Sequence, residues 1–213
     1  MEKSVRVYNE EEFLGTADVS EDGRWSFRVE GLSVRNYAFR AETSDGKVES
    51  NTWAVTVQQP PLYEDFESGP GGMIGNNESM EFPTMTATNF FLGGVPLSIS
   101  VAAGFDTPPM ITGRAINISG GAVTNGYLKL TLARGASAVK FGIRSERRMR
   151  PHVYCYNEKG MGICSGLTPE YGSAIAVWAE FSPLPPYNHE LIKSVNFSEN
   201  ILGVSIDNFT LFF

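Results

Sequence analysis

Hydrophobic and polar residues alternate with a period of two through the first part of the chain. The alternation is clearest in residues 25–29 (Trp-Ser-Phe-Arg-Val) and 53–57 (Trp-Ala-Val-Thr-Val), and Asp-Gly pairs at 22–23 and 45–46 separate such stretches. Alternating side chains point to opposite faces of a strand, and Asp-Gly pairs favour tight turns between strands. The pattern therefore predicts antiparallel hairpins with one buried face, spaced as in a β-sandwich.

The alternation resumes in longer stretches after residue 62. These are centred on Ile99, Ile116, Leu130, Phe141, Val153, Ile175, Val195 and the terminal residues 204–213. A glycine-rich loop at 69–77 separates a first strand, at 65–67, from the others. No stretch has the 3.6-residue periodicity of an amphipathic helix. About nine or ten strands in this part of the chain predict a jelly roll or a similar two-sheet sandwich.

Two prolines at Pro60 and Pro61 interrupt the alternation. Proline cannot donate a backbone hydrogen bond to a strand ladder and favours an extended spacer. We therefore predict a partial immunoglobulin-like domain at 1–57, a proline linker at 58–62 and a jelly-roll β-sandwich at 63–213. A proline-capped loop inside one all-β domain is the alternative.

Charge and composition argue against nucleic-acid binding and against insertion into a membrane. The net charge is −7 and neither half of the chain is basic, so nucleic acid is not an expected partner. No apolar run approaches the roughly 18 residues of a membrane-spanning helix, so membrane insertion is not expected either. The amino terminus enters a strand pattern at once and has no signal-peptide stretch. The two cysteines are compatible with either redox compartment.

Residues 5–57 resemble the bacterial immunoglobulin-like repeats of large surface proteins. The resemblance is carried by V-R-V-Y at 5–8, L-G-T-A at 14–17, D-G-R-W-S-F at 22–27, Y-A-F-R-A at 37–41 and S-N-T-W-A-V-T-V at 50–57. The first two strands of a complete repeat are missing. The resemblance implies an extracellular or cell-surface location, and the missing strands leave a sheet edge open for self-association.

Residues 63–213 resemble the galactose-binding-type jelly rolls of bacterial surface and secreted proteins. The motifs are D-F-E at 65–67, Y-C-Y-N-E-K-G at 154–160 and S-I-D-N-F-T-L at 205–211. In that family the first and last strands are neighbours and their carboxylates can hold a structural calcium ion. The resemblance therefore implies a calcium site at Asp65, Glu67 and Asp207. The apolar positions change parity between Ile206 and Phe209, which predicts a β-bulge at 207–208. Solvated strand charges and a turn cap are the alternative.

Nothing in the sequence indicates catalysis. Serine-type chemistry needs a histidine base near a nucleophile on a strained turn. The chain has His152 and His189 only, and it contains no G-x-S-x-G stretch. Residues 162–166 do not form such a nucleophile turn, because their central residue is Cys164. We therefore expect a protein that is not an enzyme.

Ligand binding is expected at aromatic residues near loops, because sugars stack on aromatic faces. The candidates are Tyr154, Tyr156, Tyr171, Trp178 and Tyr187, joined by the arginines Arg147, Arg148 and Arg150, which could grip an anionic polysaccharide. A core position for the tryptophan and a solvated loop for the arginines are the alternatives.

Cys155 and Cys164 flank a turn in this region. A two-residue loop at 159–160 would set the cysteines opposite each other, within reach of a disulfide, whereas a loop at 158–159 would misalign them. The sequence is compatible with a disulfide between the two cysteines and also with two buried free thiols.

Together these features predict a non-catalytic adhesion or carbohydrate-binding module at the end of a bacterial surface or secreted protein. Its partner would be a glycan or a cell-surface molecule. Two alternatives remain: an accessory binding domain of a secreted polysaccharide-degrading enzyme, and a purely structural spacer.

Overall fold

The computed structural model describes residues 3–94, 96–104, 106–120, 124–145, 150–170, 175–198 and 203–213. These residues form seventeen β-strands and no helix, and so include no helix able to cross a membrane. All strand pairings among them are antiparallel, which confirms the all-β prediction. The chain divides into two compact units, Met1–Gln59 and Pro60–Phe213, at a point inside the linker predicted at 58–62.

The first unit contains one four-stranded sheet. Its strands are β1 (Ser4–Asn9), β2 (Glu12–Asp18), β3 (Asn36–Thr43) and β4 (Trp53–Thr56), in the order β2-β1-β3-β4. The buried face is small, because it consists of Val5, Val7, Ala17, Tyr37 and Ala41. Both predicted Asp-Gly turns are present, with Gly23 and Gly46 at φ 79° and 68°.

Residues 25–29 were predicted as a strand, and this prediction is wrong. The exposure still alternates, since Trp25 and Phe27 are half-buried between exposed neighbours. The Trp25 ring lies 5.9 Å from that of Trp53, and the Phe27 ring lies against Gly15. A strand needs an adjacent edge with which to exchange backbone hydrogen bonds. Residues 25–29 instead pack the rings of Trp25 and Phe27 against the sheet. Their exposure therefore alternates although their backbone pairs with no described strand.

The second unit contains thirteen of the strands. They are β5 (Leu62–Glu64), β6 (Gly72–Ile74), β7 (Ser79–Glu81), β8 (Met85–Gly94), β9 (Leu97–Ala103), β10 (Arg114–Gly120), β11 (Thr124–Ala136), β12 (Ala138–Ser145), β13 (His152–Tyr156), β14 (Gly162–Leu167), β15 (Ala176–Phe181), β16 (Ile192–Ser198) and β17 (Val204–Phe212). The front sheet has the order β14-β13-β16-β11-β8-β7. The back sheet has the order β15-β12-β17-β10-β9-β6, with β5 also paired to β17.

The predicted alternating stretches lie on strands, and the remaining strands carry weaker patterns. The glycine-rich stretch at 69–77 was predicted as a loop but contains the short strand β6. β8 was missed because its inward positions include Asn89, a fully buried amide where an apolar residue is expected. Its Nδ2 donates to the carbonyls of Ile74 and Leu97, whereas its Oδ1 has no hydrogen-bond partner among the described residues.

Phenylalanine rings join the two sheets at the centre of the core. Phe141 of the back sheet lies 5.1 Å from Phe197 of the front sheet, ring centre to ring centre, and 4.8 Å from Phe209 of β17. All three side chains are fully buried. Aromatic contacts of this kind add to the stabilisation from apolar burial.

The outward face of the back sheet is covered at its centre by the chain itself. Phe141 and Ile143 point into the core, so Gly142 points outward, where an added Cβ would lie 1.9 Å from the Met110 carbonyl oxygen. Glycine alone permits this close approach. Ile111 and Ala176 complete the covering contact.

The outer edge of β4 has no strand partner among the described residues. Val57 donates its backbone N–H to the Arg35 carbonyl at 3.0 Å. Because hydrogen-bonded pairs alternate along antiparallel strands, the N–H of Ala54 points away from β3. We expect concentration-dependent self-association through this edge, reduced by Ala54→Pro, which removes the donor. Sedimentation velocity over a concentration series measures it.

Ala54→Ser is the matched control, because it keeps the backbone donor and should associate like the wild type. A wild-type chain that stays monomeric over the whole series would contradict the prediction, as would equal association of the proline and serine variants.

Candidate functional site

The outward face of the front sheet carries two of the tyrosines predicted to bind ligand. On β13, Val153 and Cys155 are fully buried in the core. Successive side chains of a strand point to opposite faces, so Tyr154 and Tyr156 point away from the core. Their rings are half-buried and accessible from the outside.

A row of largely polar side chains crosses the front sheet at the level of Tyr154. Strand by strand from β14 to β7, the paired residues are Ser165, Tyr154, Asn196, Lys129, Thr88 and Ser79. The hydroxyls of Ser79 and Thr88 are hydrogen-bonded at 2.8 Å. Most of these side chains are short, so this part of the face is low and rich in hydrogen-bonding groups.

A groove of about 310 Å³ lies at the β13–β14 side of this face. Its walls include Tyr154, Tyr156 and Tyr187, together with Leu184 and Ser165. The wall opposite β13 comes from the loop between β15 and β16. That loop is fixed to β14 by a backbone hydrogen bond from Leu184 to Ile163, at 3.0 Å. Tyr187, which is distant in sequence, therefore lines the same groove as Tyr154 and Tyr156 of β13.

The phenols of this face affect one another electrostatically. Burial raises the pKa of Tyr156 above its ordinary value, and the nearby phenols of Tyr154 and Tyr127 add to the rise. A raised pKa keeps the Tyr156 hydroxyl protonated, so it can both donate and accept hydrogen bonds. Tyr127, on β11, points to the same outward face, because the next residue, Leu128, is fully buried in the core.

Tyr127 and its neighbour Phe90 are not among the residues predicted from the sequence to bind a ligand. The two rings stack with centres 4.9 Å apart and an interplanar angle of 10°. Lys129 Nζ lies 5.8 Å from the centre of the Phe90 ring. The signal for Tyr127 was present, since it alternates with the buried Leu128 and Leu130 and therefore had to point outward.

Trp178 lies away from this groove, although it was predicted as part of the same ligand site. It is on β15 of the back sheet, between Val177 and Ala179, which face the core. Its ring therefore points to the outward side of the back sheet, where Lys140 Nζ lies 4.8 Å from the ring centre. It is neither a core residue nor a neighbour of the tyrosines.

Of the predicted arginines and Tyr171, the structure describes Arg150 alone. Arg150 is half-buried, and its Nε donates to the Thr168 carbonyl at 2.7 Å. Arg147, Arg148 and Tyr171 lie outside the described residues.

The first and last strands of the second unit are neighbours, as predicted. The carboxylates of Asp65 and Glu67, however, do not lie on the first strand. β5 pairs with β17, yet it ends at Glu64, so Asp65 and Glu67 are not on the strand. They follow it in a tight turn in which Glu67 donates its N–H to Asp65 Oδ1 at 3.0 Å. Phe66, between them, is at φ 58° and is fully buried.

Asp207 occupies an unusual environment on β17. Its side chain is fully buried, Oδ2 accepts from the Thr112 N–H at 2.8 Å, and Oδ1 has no hydrogen-bond partner in the described structure. Burial raises the pKa of Asp207 to about 7, and the carboxylates of Asp65 and Glu67 contribute to the rise.

The described residues contain no group of three acidic, histidine or cysteine side chains arranged to hold a metal ion.

The predicted bulge beside Asp207 is confirmed. The register of β12 with β17 shifts at this point, and Asn208 is at φ 50°. Its Nδ2 donates to the carbonyls of Pro109 and Met110, both at 3.1 Å. The bulge therefore ties the last strand to the segment that covers the back sheet.

Near the turn after β5, both carboxylate oxygens of Glu64 accept hydrogen bonds. Glu64 was not predicted from the sequence as a site residue. It is 3% exposed and accepts from the N–H of Phe66, the N–H of Thr84 and the Thr84 hydroxyl, at 3.1, 3.2 and 3.0 Å. Glu64 ends β5 in the back sheet and Thr84 precedes β8 in the front sheet. This carboxylate therefore links the two layers.

Cys155 and Cys164 are direct partners across β13 and β14. Neither of the two-residue loops occurs. Residues 158–160 form a three-residue turn with Gly160 at φ 73°, and a register shift between Cys155 and Tyr156 places Cys155 directly opposite Cys164. Both cysteines are buried free thiols, and hydrogen bonding to Cys164 together with burial raises the pKa of Cys155.

No protein-family model matches the chain, and no curated protein matches it. Solved structures are similar at a low level. The enzymatically active domain of tailspike protein 4 of bacteriophage CBA120 is 12% identical, with a TM-score of 0.37, over 62% of this chain and 20% of that one. A mutant of CBM29-2, a family 29 carbohydrate-binding module, is 13% identical, with a TM-score of 0.38, over 72% and 92%. Another CBM29-2 mutant, complexed with mannohexaose, has the same identity and TM-score over 68% and 92%.

The alignment of Cys155 with Cys164 generates a prediction about oxidation. With glutathione disulfide as oxidant, we expect an intrachain disulfide to form while two glutathione thiols are released. Mass spectrometry should show the loss of two hydrogens and of both alkylation sites. The closed loop is short, so the gain in unfolding free energy should be about 2–3 kcal/mol.

Cys164→Ser is the control and should show no stabilisation by the oxidant. Two thiols that remain fully alkylatable in the unfolded chain after prolonged oxidation would contradict the prediction.

Proposed function

We propose that residues 60–213 form a non-catalytic carbohydrate-binding module whose primary contact is the tyrosine groove of the front sheet. The observation that carries the proposal is the convergence of Tyr154, Tyr156 and Tyr187 on one groove. The apolar faces of sugar rings stack on aromatic side chains, and phenol and serine hydroxyls exchange hydrogen bonds with sugar hydroxyls.

The construction of the groove also favours binding. Tyr154 and Tyr156 are on a strand paired on both sides, and Tyr187 packs against the core. Side chains held in this way lose little conformational entropy when a ligand binds. The low central row beside the groove leaves space for a ligand larger than one sugar.

In this proposal the first unit is a stalk, and the chain belongs to a secreted or surface protein outside the cell. The resemblance of residues 5–57 to surface-protein repeats supports this placement. An accessory module of a polysaccharide-degrading enzyme would have the same binding site and a different gene context. A purely structural spacer would bind no glycan.

We expect Tyr156→Ala to weaken glycan binding at least about tenfold, because it removes a central stacking surface of the groove. The measurement is affinity gel electrophoresis against soluble glucan, mannan, xylan and pectin, followed by calorimetry with the oligosaccharides of the polysaccharide that retards the chain.

Tyr63→Ala is the matched control. Tyr63 is 70% exposed on β5, in the back sheet, so its removal should leave binding unchanged. Absence of retardation by every polysaccharide would favour the spacer, and equal loss in both variants would remove the groove from the proposal.

The module is further proposed to hold a structural calcium ion beside Asp207. The support is the buried Asp207 Oδ1, which has no partner in the described structure, with the carboxylates of Asp65 and Glu67 close enough to raise its pKa. Calcium takes carboxylate and backbone carbonyl oxygens, six to eight in number. Bound there, it would neutralise converging negative charge and join the turn after β5 to the end of the back sheet.

We expect millimolar calcium to raise the unfolding temperature of the chain relative to excess chelator. A ligand at a hundredfold excess over its Kd, bound only to the native state, stabilises that state by about 2.7 kcal/mol. Scanning calorimetry measures the shift. Asp207→Asn should abolish it, whereas Asp106→Asn, on the segment before β10, should keep it. An unchanged transition in the wild type would overturn the proposal.

A further inference from the structure

A second aromatic platform lies on the same outward face as the tyrosine groove. It consists of the stacked rings of Phe90 and Tyr127, on β8 and β11. Both side chains alternate with core residues, Ala87 and Leu128 among them, and are half-buried. Neither ring is needed to fill the core, so the pair is a surface feature that the tyrosine groove does not use.

The distance between the two platforms follows from the strand order. β13 carries the groove tyrosines, and β16, β11 and β8 follow it in the front sheet. Neighbouring strands are about 4.8 Å apart, so Tyr154 and Phe90 are on strands separated by about 14 Å. A pyranose ring in an unbranched polysaccharide is about as long as one strand spacing. Tyr127, the nearer member of the pair, is two strand spacings or about 10 Å from β13, so the platforms are about two to three sugars apart.

The surface between the platforms is polar and low. Asn196 lies there, on β16, and it pairs with Lys129 of β11, which is two residues from Tyr127 on the same strand. Asn196 Oδ1 is buried and has no hydrogen-bond partner in the described structure. Lys129 Nζ faces the Phe90 ring, and no carboxylate of the described residues forms an ion pair with it. The unpaired Lys129 ammonium and the half-buried Asn196 amide suit the hydroxyl groups of a sugar chain.

We propose that the glycan site extends across the strands from the tyrosine groove to the Phe90–Tyr127 platform, and that its ligand is an internal stretch of an unbranched polysaccharide. The inference rests on the proposed carbohydrate-binding function and specifies its substrate class. A terminal sugar would fill the groove alone and gain nothing from the second platform. The Phe90–Tyr127 pair is two residues along the strands from the row of Tyr154, Asn196 and Lys129. A chain that crosses the strands obliquely therefore stacks at both ends and passes Asn196 and Lys129 on its way.

The test compares oligosaccharides of increasing length. Calorimetry with disaccharides to hexasaccharides of β-1,4-linked glucose, mannose and xylose should show affinity rising with length in the wild type. Tyr127→Ala and Phe90→Ala should each weaken hexasaccharide binding about tenfold and leave disaccharide binding within about twofold. Tyr127→Phe keeps the stacking surface and should retain most of the affinity.

Two controls separate the outcomes. Tyr63→Ala should match the wild type at every length, and melting curves of the Phe90 and Tyr127 variants must show an intact fold. If no oligosaccharide or polysaccharide binds the wild type, the carbohydrate-binding function itself is overturned. If short and long oligosaccharides bind equally, or if both platform variants keep full hexasaccharide affinity, the extended site is overturned and the groove remains.

Discussion

The contact of Phe141 with Phe197 and Phe209 is the constraint on which the second unit depends. It joins the two sheets through fully buried rings, and it fixes which side of β12, β16 and β17 faces inward. Because side chains alternate along a strand, an inward position determines both of its neighbours. A slip of one residue would bury the outward side chains and expose the core, so the register is strongly specified.

The same constraint makes the outward faces of the two sheets different. Gly142 follows Phe141, and its missing side chain lets the chain near Met110 lie directly on the back sheet. Asp207 and Asn208 are covered by the same segment, which is why a carboxylate is fully buried on what would otherwise be a surface. Among the described residues no segment covers the central row of the front sheet, and its aromatic and polar side chains are half-buried or exposed rather than fully buried.

Buried polar groups hold the periphery of this sandwich together. Glu64 accepts three hydrogen bonds, two of which connect β5 to the segment before β8, whereas Asp207 has one oxygen without a partner in the described structure. A buried carboxylate is costly unless it is paired or bound to a cation. The contrast between these two carboxylates is the physical basis for proposing calcium at Asp207 and a purely structural role for Glu64.

The sequence by itself determined which side chains alternate, and hence the all-β class, the Asp-Gly turns and the outward direction of Tyr154. Alternation is a local property, so it survives even at 25–29, where no strand forms. Tertiary structure decided which strands are neighbours, because backbone hydrogen bonds join residues far apart in sequence. It alone placed Trp178 on the back sheet, brought Tyr187 and the Phe90–Tyr127 pair to the front sheet, and selected Glu64 rather than Asp65 for burial.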